Sequence, residues 1–307
     1  MNRSRAAFVF LALLALTACE RGARTDFSGE AALGYAREQL AFGPRVPGTP
    51  AHVRAGDWIV ARMRERADTV IEQRWTHVTA QGDTLPLRNI LARFRPSAAE
   101  RVLYLTHWDT RPIADEERDP ARRSQPIAGA NDGASGVGLF VALGDVLKKT
   151  PPSVGVDLLF VDGEDYGTFD PSGATYGTDV LLGSIYFAQH LPSPDYKPLY
   201  GVLFDMIGDA NLDIYQEWVS VQSAPEVVAK VWQTARDLKY NPSPFIPRTG
   251  QLVTDDHVPL LKAGLHVIDV IDINYPYHHT LEDTIDKISA KSLQQVGDVA
   301  TALVTER

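Results

Sequence analysis

Side chains that could bind a metal or move a proton recur at the ends of short apolar runs in this sequence. His107 and Asp109 follow Arg101–Thr106, Glu164 and Asp165 follow Val154–Val161, and Asp205 lies near the end of Leu199–Met206. Asp132 stands between Asn131 and Gly133 at the start of a helical segment, and Tyr277-His278-His279-Thr280 follows the run His266–Ile271. Singly, each has an ordinary explanation: an Asp before a helix caps it, and a His at a strand end makes a hydrogen bond. Together they are more informative, because carboxylates crowded at one edge repel one another unless a cation neutralises them. Histidine combined with carboxylate oxygen suits zinc. Cys19 is the single cysteine, which excludes an intramolecular disulfide framework and a multi-cysteine zinc or iron–sulfur site. A metal here must be held by His, Asp and Glu.

The elements that would position these residues are legible in the same pattern. The four apolar runs are short and rich in β-branched residues, as buried parallel strands are. Helical segments lie between and after them, at Ser135–Lys149, Thr178–His190, Ala224–Tyr240 and from Ser289 to the C-terminus. Ahead of them, Ser28 can cap a helix to about Ala41, and Thr49-Pro50 is a cap and first-turn signal for a helix to about Arg66. Thr69–Thr79 and Leu87–Phe94, separated by a Gln81-Gly82-Asp83 turn, read as an antiparallel strand pair. The expected fold is α/β: a single domain over 28–307 with a mixed, mostly parallel central sheet flanked by helices on both faces. The carboxyl-terminal edge of such a sheet is where ligands bind. Two long irregular stretches, Arg111–Ala128 and Tyr166–Gly177, lie beside the acidic positions and are candidate lids.

With 307 residues, 44% hydrophobic and 22% charged, the chain can bury a substantial core, and its net charge of -9 without a basic stripe argues against a nucleic-acid partner. Arg3 and Arg5 precede an apolar run from Ala6 to Leu16, too short for a permanent membrane span, followed by Thr17, Ala18 and Cys19. This reads as a signal peptide over 1–18 and a tether over 19–27, and its end resembles the lipobox of bacterial lipoproteins. Cys19 would then be lipidated, placing the protein outside the cytoplasm and touching a bacterial membrane only through that anchor.

At the polar positions the resemblance becomes specific. Thr106-His107-Trp108-Asp109, Gly129-Ala130-Asn131-Asp132-Gly133-Ala134-Ser135-Gly136, Asp162-Gly163-Glu164-Asp165 and His279-Thr280-Leu281-Glu282-Asp283 resemble the ordered motifs of the zinc aminopeptidase and glutaminyl cyclase superfamily, over roughly Phe42 to Ile288. The resemblance implies a zinc-exopeptidase-like fold. It also implies that Asp132, Asp165 and His279 hold one zinc and that Glu164 is the general acid/base. In the peptidases His107 and Asp205 complete a second zinc with Asp132 as bridge, so one ion is expected and two are possible. This chain has Glu164-Asp165 where the peptidases usually have two glutamates.

Three further segments resemble the cyclase branch: Arg45-Val46-Pro47-Gly48-Thr49-Pro50, Phe204-Asp205-Met206-Ile207-Gly208-Asp209-Ala210-Asn211, and Asp255-Asp256-His257-Val258-Pro259-Leu260. In the last, Asp256 is expected to join a hydrogen-bond network with the general base, and with Asp205 to tune its protonation. The Trp that cyclases usually carry before the zinc histidine is His278 here, expected to line the pocket. The implied reaction is cyclisation of an N-terminal glutamine to pyroglutamate with loss of ammonia, on peptides with a free N-terminus. The alternative is a zinc aminopeptidase, and a third reading is a non-enzymatic binding lipoprotein, although no ligand or base is missing. A serine hydrolase is disfavoured, since the sequence contains no Gly-x-Ser-x-Gly elbow.

Overall fold

The computed structural model describes residues 25–172 and 174–305; the expected signal peptide, Cys19 and most of the expected tether lie outside the described residues. The chain opens with α1 (Gly29–Leu40) and α2 (Pro50–Arg64). Both begin at the expected caps, where the Ser28 hydroxyl accepts from Ala31 N and the Thr49 hydroxyl from His52 N, each at 3.2 Å. β1 (Thr69–Val78), β2 (Thr84–Phe94), β3 (Arg101–His107), α3 (Ala134–Lys149) and β4 (Gly155–Val161) follow. Next come a small ribbon of β5 (Thr168–Phe169) and β6 (Gly177–Thr178), then α4 (Leu182–Gln189) and β7 (Tyr200–Asp205). The chain continues through β8 (Ile214–Gln216), α5 (Trp218–Ser223), α6 (Pro225–Asp237), β9 (Phe245–Thr249), α7 (His257–Lys262), β10 (Val267–Ile271) and α8 (Ala290–Thr305). No helix among the described residues is long and apolar enough to cross a membrane.

The central sheet has the order β1-β2-β4-β3-β7-β10. β4, β3, β7 and β10 run parallel, while β1 and β2 pair antiparallel with each other and β2 pairs antiparallel with β4. Strand alternation builds a core on each face. Val102, Tyr104, Val156, Leu158, Phe160, Val202 and Phe204 pack with residues of α1, α2, α3, α6 and α8, including Ala32, Ile59, Phe140, Trp232 and Val296. The intervening Leu103, Leu105, Leu159, Val161 and Leu203 pack with Phe187 of α4 and Leu260 of α7. Because both faces are covered, β3, β4 and β7 are buried along their whole length, which is why the sequence shows them as unbroken apolar runs.

Two expectations are corrected. The helix anticipated from Thr178 starts at Leu182, since Thr178 belongs to β6 and Asp179 and Leu181 hold left-handed φ angles of 58° and 54°. The Tyr166–Gly177 stretch is a two-stranded ribbon rather than wholly irregular. The parallel pair β8–β9 and the short helices α5 and α7 extend the fold.

One buried charge cluster interrupts the second core. Asp157, in the middle of β4, accepts from Arg93 Nε (3.0 Å), Arg101 Nε (2.6 Å) and Nη2 (2.7 Å), and the Tyr196 hydroxyl (2.8 Å). Removing one partner of such a group strands the others in low dielectric. Asp157→Ala is therefore expected to lower unfolding free energy by about 3–5 kcal/mol, read from urea denaturation midpoints. A loss under about 1 kcal/mol would show that Arg101 finds another partner.

Candidate metal centre

Because β3, β4, β7 and β10 are parallel, their carboxyl ends lie at one edge of the sheet and deliver their following residues to one place. His107 is the last residue of β3 and Asp205 the last of β7; Glu164 and Asp165 follow β4, Asp132 precedes α3, and His279 lies in the loop after β10. All six side chains are buried. His107 Nε2 is 3.0 Å from Asp132 Oδ1 and 3.1 Å from Asp205 Oδ1. His279 Nε2 is 3.2 Å from Asp165 Oδ1 and 3.7 Å from Asp132 Oδ2. Asp132 thus turns one oxygen toward each histidine, and the sets Asp132–Asp165–His279 and His107–Asp132–Asp205 share its carboxylate.

These separations suit a metal. Two donors at about 2.1 Å from one tetrahedral ion stand about 3.4 Å apart, close to the distances in both sets. Among the described residues, Asp132 Oδ2 and Asp165 Oδ2 are buried with no hydrogen-bond partner, a costly arrangement for carboxylate oxygens unless a cation takes them. The residues present therefore fit a divalent ion held by nitrogen and oxygen donors.

The surroundings fix this geometry. Asp283 accepts from the backbone N–H of Asn131 (2.9 Å) and Asp132 (3.2 Å), and the Tyr275 hydroxyl donates to it at 2.7 Å. Asp109 does the same for the other loop, accepting from the N–H of Glu164 (3.1 Å) and Asp165 (3.3 Å). Arg111 donates to Asp165 Oδ1 at 2.8 Å while its fork engages both oxygens of Asp115. Gly133 has φ 94°, and a Cβ there would meet the Asp109 carbonyl oxygen at 2.6 Å, so only glycine lets Asp132 turn in beside His107. Met206 and His279 hold φ of 47° and 51°, left-handed values that side chains adopt at a cost and that cluster at functional sites.

Glu164 lies beside this centre, Oε2 3.7 Å from His107 Nδ1. Burial, followed by the adjacent Asp165 carboxylate, pushes its pKa well above the usual range. Burial likewise pushes Asp256 up to about 7. Among the described residues no hydrogen bond links Asp256 to Glu164 as the sequence suggested; its influence on the base is electrostatic. The acidic side chain of that segment that reaches the cavity is Asp255.

The cavity in front of the centre has a volume of about 410 Å³. Its lining combines polar side chains, Arg111, Asp115, Glu116, Glu164 and Asp255, with apolar ones, Met206, Val253, Ile271 and Ile273 and, from the β5–β6 ribbon, Phe169 and Pro171. His278 lines it, as expected, and stacks on His279 with ring centroids 3.6 Å apart. Sequence reasoning did not assign roles to Asp109 and Asp283, although both close recognised motifs, nor to Asp255. Arg111 and Phe169 carry no comparable signal.

Residues 89–304, well over half of the chain, match peptidase family M28. The chain belongs to that family. Among solved structures, the glutaminyl cyclase of Bacteroides thetaiotaomicron bound to N-acetylhistamine superposes with a TM-score of 0.87 at 32% identity, covering 93% of this chain and 100% of that one. A Zn-dependent exopeptidase from Parabacteroides distasonis superposes with a TM-score of 0.86 at 34% identity, again over 93% and 100%. Aminopeptidase YwaD of Bacillus subtilis is 24% identical over 95% of this chain, which spans 60% of that protein's length. M28 thus holds relatives named for both reactions, and the zinc-dependent neighbour agrees with the donor set found here.

The backbone bonds from Asp283 to the Asp132 loop suggest a test. Asp283→Asn keeps the shape and weakens those bonds, so zinc affinity is expected to fall about 10–100-fold, measured by competition with a chromogenic chelator. Unchanged affinity would show that Asp132 is held by other contacts.

Proposed function

We propose that this protein is a zinc enzyme that converts the N-terminal glutamine of peptides to pyroglutamate, releasing ammonia. One observation carries the reading. The three segments that resemble the cyclase branch, distant in sequence, converge on one centre. Arg45, fully buried, donates to the carbonyls of Ala128 and Gly129 (2.7 Å to the latter) and so braces the loop ahead of Asp132. Asp205 and Met206 line the cavity, and so does Asp255. The superposition on a solved glutaminyl cyclase over its full length supports the same assignment.

Asp132, Asp165 and His279 would hold one zinc. When bound, it would polarise the carbonyl under attack as a Lewis acid. The remaining chemistry belongs to the chain. The substrate's α-amine and γ-carboxamide are already tethered, so the site needs only to fold them together. The α-nitrogen bonds to the γ-carboxamide carbon while Glu164 takes a proton from that nitrogen. The bond from this carbon to the amide nitrogen then breaks, and Glu164 returns the proton to the departing ammonia. A carboxyl group whose pKa burial has raised holds a proton more readily than an exposed one, as a group that accepts and returns a proton requires. Asp109 holds the Glu164 backbone in place, and after burial the neighbouring carboxylates Asp165, Asp255 and Asp256, rather than Asp205, raise its pKa. The first residue's side chain would lie against Met206, Val253, Ile271 and Ile273.

A second reading has its own support: Asp132 and Asp205 flank His107 Nε2 at 3.0 and 3.1 Å, the set of donors a second metal would use. In that aminopeptidase reading Glu164 would deprotonate water to cleave the first peptide bond. We further propose, from Arg3, Arg5 and the run ending at Cys19, that the protein is exported and lipid-anchored.

The discriminating assay supplies the zinc-loaded protein with Gln-peptides and with Leu-anilides. Ammonia and a pyroglutamyl product are expected from the first, with little cleavage of the second. Glu164→Gln should retain zinc and substrate affinity while kcat for cyclisation falls about 10²-fold or more. Free amino acid release with two tightly bound zincs per chain would instead establish the aminopeptidase.

A further inference from the structure

We infer that the mouth of the cavity carries a separate, weaker metal site, formed by Glu116 and His278, whose occupation by excess zinc closes the active site. Glu116 belongs to the Arg111–Ala128 loop and His278 to the loop after β10; both line the cavity in front of the buried centre. His278 Nδ1 is 3.3 Å from Glu116 Oε1. That separation fits two donors at about 2.1 Å from one tetrahedral ion, which stand about 3.4 Å apart. One ligand atom each of Glu116, His278 and His279 lie within 4.8 Å of one another, the same closeness that marks the two buried sets.

The pair is free for this role. Among the described residues, Glu116 makes no side-chain hydrogen bond or ion pair other than its contact with His278, whereas its neighbour Asp115 is held by the Arg111 fork. Glu116 is more than half exposed, and its Oε1 faces His278 Nδ1 at the cavity, so it offers a carboxylate oxygen donor there. The stacking of His278 on His279 fixes the ring at the mouth.

His279 is committed to the deep set with Asp132 and Asp165. The mouth ion is therefore left with two protein donors and water, against three buried protein donors below. Affinity should be correspondingly lower: the deep set fills first, and the mouth fills only when free zinc is in excess. An ion there stands where a peptide's N-terminus must pass, so binding and turnover exclude each other. Zinc and copper, which favour imidazole with carboxylate, should act more strongly than manganese or magnesium. This inference is independent of which reaction the centre performs, because its primary readout is metal binding.

The test uses the full protein, first loaded with zinc and freed of loosely held metal, then dialysed against rising free Zn2+. Wild type is expected to take up one further ion per chain, with activity lost over the same concentration range. Glu116→Gln and His278→Phe should each raise the zinc concentration needed for both effects by about ten-fold or more, leaving the tightly held zinc in place. Glu116→Gln alters only an exposed side chain and so reports even if His278→Phe is poorly folded. An extra ion bound equally by wild type and Glu116→Gln, or inhibition with no extra ion bound, would overturn the proposal.

Discussion

The structure is organised around one electrostatic problem: buried carboxylates from separate strand ends and loops meet two histidines at the base of a cavity. Bringing charges out of water costs several kcal/mol per ion unless opposite charge and hydrogen bonds offset it. Here the offset is built in layers. The Asp132 carboxylate is shared between His107 and His279, Arg111 sits against Asp165, and the remaining bare oxygens point to where a cation fits. Asp283 and Asp109 spend their acceptors on backbone N–H groups, which aims Asp132, Glu164 and Asp165 without adding donors that would compete for the metal.

Such an arrangement needs a rigid platform, and the sheet supplies it. Parallel strands buried on both faces end level with one another, so His107 and Asp205 leave adjacent strands side by side. Turns that only particular backbone conformations permit then complete the set: glycine at Gly133, and left-handed residues at Met206 and His279. The two hydrophobic cores hold those turns in conformations that isolated chain segments would avoid. The Arg111–Ala128 loop and the β5–β6 ribbon contribute Arg111, Asp115, Glu116, Phe169 and Pro171 to the cavity lining, where substrate identity would be read.

Much of this was legible in the residues. Fully buried strands have no polar face, so Arg101–Thr106, Val154–Val161 and Leu199–Met206 stand out as continuous apolar runs, and the Ser28 and Thr49 caps mark helix starts through specific hydrogen bonds. The metal donors were found because their types are chemically restricted and their positions follow strand ends. What was missed depends on three-dimensional closure. β5 and β6 are two residues each, too short for any periodicity, and α4 starts late because Leu181 turns left-handed. The sequence singled out Asp256, yet the side chain that reaches the cavity is its neighbour Asp255, a choice set by how the chain enters α7. Arg111 gives no local sign that it will reach Asp165 across the site.

The account rests on a zinc ion held by Asp132, Asp165 and His279, with Glu164 beside it. X-ray diffraction from the purified protein at energies on either side of the zinc absorption edge tests this directly. The account predicts an anomalous peak at about 2.0–2.2 Å from donor atoms of Asp132, Asp165 and His279. Catalytically active crystals with no peak among those three residues would contradict it.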